Sequence, residues 1–86
     1  MVDGLDLPDE LIIPLRKPID FAGTTYTELK LLEPTGGQIE EWDGLVRVHA
    51  DRKAISIVAG VPEGVVRQLP AREFYKAARY IGGFLD

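Results

Sequence analysis

Residues 18–37 read PIDFAGTTYTELKLLEPTGG, and the way this stretch folds decides the architecture. In TTYTELKLL, Thr25, Thr27, Leu29 and Leu31 fall on one side of an extended chain, and Tyr26, Glu28, Lys30 and Leu32 fall on the other. Period-two spacing with Thr and Tyr enrichment is a strand signal. Gly23 accepts positive φ without steric cost, so Phe21–Thr24 can reverse the chain. Glu33-Pro34 ends the extended run. Thr35 and Gln38 then form an S/T-x-x-E/Q capping box, which opens a helix at about residue 36.

Working outward, LIIPLR at 11–16 is apolar and β-branched and leads through Lys17-Pro18 into the turn. A β-hairpin with strands near 11–21 and 25–32 follows. Pro14 and Pro18 cannot donate to a ladder, so the first strand is expected to be an edge or to be broken. Residues 1–10 carry Asp3, Asp6, Asp9 and Glu10 with no cation, and read as a flexible acidic tail ahead of a single small domain at 11–86.

On the other side of the stretch, Ile39 and Trp42 share a face of the helix at 36–43, and Asp43-Gly44 stops it. Residues 45–60, LVRVHADRKAISIVAG, support two readings. LVRVH and AISIV alternate around an ADRK turn, which gives a second hairpin. Val48, Ile55, Val58 and Ala59 also share one side of a helix. Pro62 suits the first position of a short helix over 62–69. Pro70 opens a last helix over 70–83, in which Phe74, Ala78, Ile81 and Leu85 recur on one face and Arg72, Lys76 and Arg79 point outward. Gly82-Gly83 is expected to weaken or end that helix. The fold class expected is α+β, a small N-terminal hairpin at about 11–32 followed by three to four short helices.

Composition narrows the function. The chain has 86 residues, no cysteine, a net charge of -4 and a pI near 4.9. A thiolate metal site and a disulfide scaffold are excluded. The charge argues against nucleic acid as the main partner, because phosphate binding needs a basic patch. Arg67, Arg72, Lys76 and Arg79 are offset in the sequence by Glu63 and Glu73, and a solvated helix face accounts for them. No run reaches the roughly 20 apolar residues of a membrane span. A soluble, cytoplasmic protein is expected.

Groups for catalysis are scarce. His49 is the sole histidine and Ser56 the sole serine, and Ser56 sits between Ile55 and Ile57 with no nucleophile elbow. One His leaves too few ligands for an ordinary zinc site. Gly36-Gly37 precedes a helix, but no P-loop Lys follows, and Glu40 and Glu41 would repel a phosphate. No catalytic residue, metal or cofactor is therefore assigned, and the expected mode of action is contact. The aromatic and aliphatic content is generous for so small a core, and apolar patches left outside a core mark partner surfaces. The residues assigned to such a surface are Trp42, Val65, Val66, Phe74, Tyr75, Ala78, Ile81 and Phe84. The competing reading, favoured for any single one of them, is that most of these residues form the core, Phe74 and Ile81 especially. Tyr75 and Tyr80 lie off their stripe and suit the surface better.

The run KPIDFAGTTYTELKLLEPTGG resembles the opening of the small phage tail assembly chaperones of the tail protein E type. Its pattern there is K-P-I-x-F-x-G-x-x-Y-x-E-L-x-L-x-E-P-T. AISIVAGVPEGVVRQLPAREFYKAARYIGGFL is also similar to that family, with its G-x-P step and closing G-x-F-L helix. Residues 36–53 match only loosely. The resemblance implies helix for 50–60, consistent with a helix at about 48–60. It also implies a non-enzymatic role in the host cytoplasm during phage or prophage tail morphogenesis. Such chaperones bind the tape measure protein, help recruit tail tube subunits, leave the finished particle, and are often made in two lengths by frameshifting. Self-association, through avidity on a long client or by strand addition at the hairpin edge, is expected. The competing reading is a small structural or adaptor protein retained in the particle.

Overall fold

A computed structural model describes residues 7–85. Its elements are β1 (Glu10–Phe21), β2 (Thr24–Leu32), α1 (Gly36–Glu40), α2 (Arg47–Ala59), α3 (Glu63–Arg67) and α4 (Ala71–Leu85). The hairpin followed by helices is the α+β arrangement the sequence announces.

β1 and β2 pair antiparallel, with Leu11 opposite Leu31 and Ile13 opposite Leu29. The connection is the two-residue loop Ala22-Gly23, with φ of 51° and 84°. Positive φ at both central positions is the type I′ pattern, whose twist matches the flanking strands. Gly23 adopts it freely, whereas Ala22 carries a Cβ that crowds its own backbone. Ala22→Asn is therefore expected to stabilise the chain by up to about 1 kcal/mol, read as a higher urea midpoint at unchanged slope.

The prolines break the ladder as expected. Between Pro14↔Glu28 and Ile19↔Tyr26 the register shifts, so residues 15–18 of β1 face only Thr27. The shift is an odd number of residues and changes which side of β2 looks inward. Near the open end Leu29 and Leu31 are buried. Near the tip Tyr26 is half-buried, and Thr25 and Thr27 are exposed. The alternation places Thr25 and Thr27 on one side with Leu29 and Leu31, and the bulge is what makes their burial differ.

The capping box forms in full. Gln38 N donates to Thr35 Oγ1 at 3.2 Å, and Thr35 N donates to Gln38 Oε1 at 2.9 Å. α1 is shorter than the expected 36–43, giving way to a turn in which Trp42 N donates to Ile39 O and Leu45 N to Trp42 O.

Residues 47–59 are helical, which resolves the ambiguous segment against a second hairpin. Burial of Ala54 and Ile55 outweighs the strand preference of the β-branched residues. Arg47 enters the helix at φ 51°, and Val46 supplies no side-chain cap. The end is better made. Gly60 takes the left-handed conformation with φ 68°, and Ser56 Oγ donates to Val61 O at 2.6 Å.

Pro62 is the N-cap of α3, one position outside the helix instead of its first residue. Glu63 reaches back to Arg52 Nε at 3.2 Å and Lys53 Nζ at 3.3 Å, tying α3 to α2. Those two cations hold the Glu63 carboxyl below its ordinary range, Lys53 first.

α4 continues to Leu85, straight through Gly82-Gly83, where the sequence predicts weakening or an end. A methyl group at Gly83 would collide with the Leu7 side chain, so the glycine provides close approach of the N-terminal segment. Tyr80 Oη donates to Pro8 O at 2.6 Å in the same region. Of the residues assigned to the acidic tail, Leu7 and Pro8 thus lie against α4 and Glu10 opens β1, while residues 1–6 fall outside the described residues.

α2 packs on β2, α3 and α4, and α3 and α4 also reach β1. The helices cover one side of the hairpin. Ile13, Ile19, Leu29, Leu31, Ile55, Val65, Val66, Ala77 and Ile81 form the centre of the core between them. Ile12 and Leu32 remain exposed on the other side.

Candidate functional site

α4 sets the geometry. Its inward stripe is Glu73, Ala77, Tyr80 and Ile81. That stripe is rotated from the predicted one: Phe74 and Ala78 are half-buried, and Leu85 is exposed. Arg72, Lys76 and Arg79 point outward as expected. Tyr80, taken for a surface residue, is buried. Burial first, then the charges of Asp9, Glu33 and Glu10, push its phenol above the ordinary 10.0.

The eight residues assigned to a partner surface separate into three groups. Trp42, Val65, Val66 and Ile81 are buried in the core. Phe74, Ala78 and Phe84 are half-buried beside it. Tyr75 is 50% exposed and meets the Phe74 ring edge-on at 5.3 Å. Three of the eight, Val66, Phe74 and Tyr75, line one common cavity.

That cavity is a shallow cleft of about 350 Å³ between the start of α2, the end of α3 and the start of α4. Val66, Leu69 and Phe74 supply apolar surface to it, together with Val48, Tyr75 and Ala71. Arg52 and Arg67 also line it, and among the described residues no carboxylate does. Val48 is 50% exposed, and Leu45 and Val46 just ahead of it are 44% and 68% exposed. Leu45, Val46 and Val48 were not assigned to the surface from sequence. A signal was present: Val48 is seven residues before Ile55, on the same side of a helix, but it sits where α2 overshoots the core. Arg47, with its positive φ of 51°, lies within this exposed apolar run.

A second charged feature lies on the other side of α4. Glu73 is buried, and its Oε1 accepts from Arg16 N at 3.4 Å and Arg16 Nε at 3.5 Å. Its Oε2 has no hydrogen-bond partner among the described residues. Burial pushes the carboxyl pKa up. The Arg16 and Glu73 amides and the Arg16 charge outweigh burial and hold it below the ordinary 4.5. A depressed carboxylate stabilises the fold above its unfolded pKa, and that contribution is lost as pH falls through the folded value. Glu73→Gln is therefore expected to be less stable than the parent at pH 7, with the difference shrinking below about pH 4.5, as urea midpoints at pH 7 and pH 3 would show.

The pairing of Glu63 with Arg52 and Lys53, and of Glu73 with Arg16, leaves other cations unmatched. Arg47, Arg67, Arg72, Lys76 and Arg79 have no ion-pair partner among the described residues. The sequence expectation that Glu63 and Glu73 offset Arg67, Arg72, Lys76 and Arg79 does not hold in space.

Other candidates resolve simply. His49 is exposed, with Nδ1 3.3 Å from Arg52 Nη2, and the Ser56 hydroxyl is used at the end of α2. Among the described residues no group of three or more His, Asp or Glu is placed to hold a metal ion. No helix among them is long and apolar enough to cross a membrane.

No curated protein and no solved structure matches the chain. Residues 12–86, from the start of the hairpin ladder through α4, match the family described as phage tail assembly chaperone proteins, E, or 41 or 14. With nearly its whole length matched, the chain belongs to that family of phage tail assembly chaperones, and its role is in tail assembly.

Proposed function

We propose that this chaperone acts in the host cytoplasm by docking helical segments of the tape measure protein on the apolar cleft of Val48, Phe74 and Tyr75. The observation that carries the reading is exposed Val48 sharing one cleft with Tyr75, with Leu45 and Val46 exposed just ahead of it in the chain, in a member of this family. An apolar groove flanked by helices takes the i, i+3, i+4, i+7 side chains of an amphipathic helix. The contact is small, so it releases easily, and many copies along one client gain strength by avidity. The work is reversible binding, with no bond made or broken. The outward side of the hairpin, with Ile12 and Leu32 exposed, is left free for tail tube subunits or a further copy.

The test is co-expression with the tape measure protein of the same phage and capture on the tagged chaperone. Tyr75→Ala is expected to lower the affinity five- to thirtyfold while the variant stays folded, the range for an exposed aromatic anchor. Phe84→Ala probes the far end of α4 in the same assay. Undiminished capture by Tyr75→Ala overturns the cleft, and a loss confined to Phe84→Ala moves the contact away from it. Mass spectrometry of purified particles supplies the second check: a chaperone is missing from mature tails, whereas a retained adaptor is present at fixed stoichiometry.

A further inference from the structure

The cleft carries a charge preference as well as an apolar surface. Residues 1–46 hold ten Asp and Glu against three Lys and Arg, whereas residues 47–85 hold seven Lys and Arg against three Asp and Glu. An acidic protein thus presents a basic helical half. Two of the three acids in that half are taken: Glu63 by Arg52 and Lys53, and Glu73 by Arg16 from the hairpin. The cleft lies in the basic half, and among the described residues its charged lining is Arg67 and Arg52, the latter paired with Glu63. Arg67 is exposed and has no ion-pair partner among the described residues. The hollow flanking the other side of α4 is lined by Arg72 and Lys76, together with Arg16 and the Glu73 carboxylate that Arg16 pairs with.

From this we infer that the cleft selects amphipathic helices whose apolar stripe is bordered by Asp or Glu, and discriminates against those bordered by Lys or Arg. The inference rests on the helix-docking reading above and adds the chemistry of the segment recognised. Potentials of opposite sign across an interface steer encounter and reject wrong partners, since like charges placed face to face oppose docking. A nucleic acid would also answer positive charge. The cleft, however, is mostly apolar, and the acidic half of the molecule repels a polyanion, so an acidic protein helix is the better fit. A second copy is less suited. Its acidic half carries its exposed Ile12 and Leu32 on the flat side of a hairpin, which offers no helical stripe to enter the cleft.

The experiment uses the full chain and two fluorescein-labelled 20-residue peptides. Both have a Leu stripe at i, i+3, i+4 and i+7 spacing; one has Glu at every flanking position and its twin has Lys. Anisotropy at pH 7.5 in 50 mM salt is expected to show the Glu peptide binding at least about tenfold more tightly. That preference is expected to shrink at 300 mM salt as exposed charges are screened. Arg67→Glu is expected to weaken the Glu peptide and strengthen the Lys twin, whereas Tyr75→Ala weakens both. Circular dichroism of each variant confirms that it is folded. Equal or tighter binding of the Lys twin overturns the charge preference and leaves helix docking standing. No binding of either peptide overturns the docking reading itself. Glu-peptide binding that neither variant changes places the contact elsewhere and overturns the assignment. Tighter binding of a labelled 20-nucleotide single strand overturns the choice of partner class. So does concentration-dependent self-association that Arg67→Glu abolishes in the absence of peptide binding.

Discussion

Trp42→Ala is expected to cost about 3–5 kcal/mol and to leave the chain partly unfolded at room temperature. A chain of 86 residues has roughly 4–13 kcal/mol of stability in total, so one such loss is a large share of it. Trp42 is 5% exposed and belongs to the core cluster, and it stands in the turn between α1 and α2. Truncating it removes the largest side chain of the core where only short-range turn bonds from Trp42 N to Ile39 O and Leu45 N to Trp42 O hold the chain. Equilibrium urea unfolding followed by far-ultraviolet circular dichroism measures the effect. The control is Tyr75→Ala. Its ring is half outside the core, so its stability change is expected within about 1 kcal/mol while its capture of client falls. The reverse ranking of the two variants would move Trp42 to the surface and Tyr75 to the interior.

Leu29→Ala is expected to cost about 2–5 kcal/mol, with the cost set by how little the surroundings can collapse. Leu29 is fully buried and stands opposite Ile13, where the hairpin meets the helical layer. α2 packs directly on β2, so the hole opens at the joint between the two halves of the molecule. A two-stranded hairpin has little stability of its own, and without this packing it has no reason to persist. The expected signature is a lower urea midpoint at unchanged slope, with strand and helix signals lost together. Loss of the hairpin signal alone, with the helices retained, would show that the two layers do not depend on each other. Lys30→Ala, the exposed neighbour on the opposite side of the strand, is expected to stay within about 0.5 kcal/mol.

What the sequence made legible was local. The hairpin turn, the Thr35/Gln38 box and the outward cations of α4 follow from neighbours within four residues, and all three stand where expected. The segment 47–59 was open because Val48, Ile55, Ile57 and Val58 suit either period; burial of Ala54 and Ile55 decides it, and burial is not a local property. Gly82-Gly83 was misread for a related reason: propensity counts the lost Cβ, while the Leu7 contact that wants the space comes from the other end of the chain. Tyr80 was taken for a surface residue because nothing near it in sequence foretells the Pro8 carbonyl. Of the residues lining the proposed docking cleft, Phe74 and Tyr75 are ones that the sequence singles out. The Leu45–Val48 run was hidden by the uncertainty over what it folds into. The imbalance of charge across the cleft depends on which cation each acid takes, and Arg16 for Glu73 joins residues 57 apart.

The register break between Pro14 and Ile19 divides the hairpin into two ladders. Opposite strands are zipped from Glu10 to Pro14 and again from Ile19 to Phe21, and the backbone amide of Arg16 between them is turned to Glu73. Because Ile19 lies in the core, the tip is held by its side chains and not by pairing continuous with the base. Ile19→Ala would release that anchor, and the tip amides would then exchange with solvent deuterium in a separate, faster phase while the base stays closed.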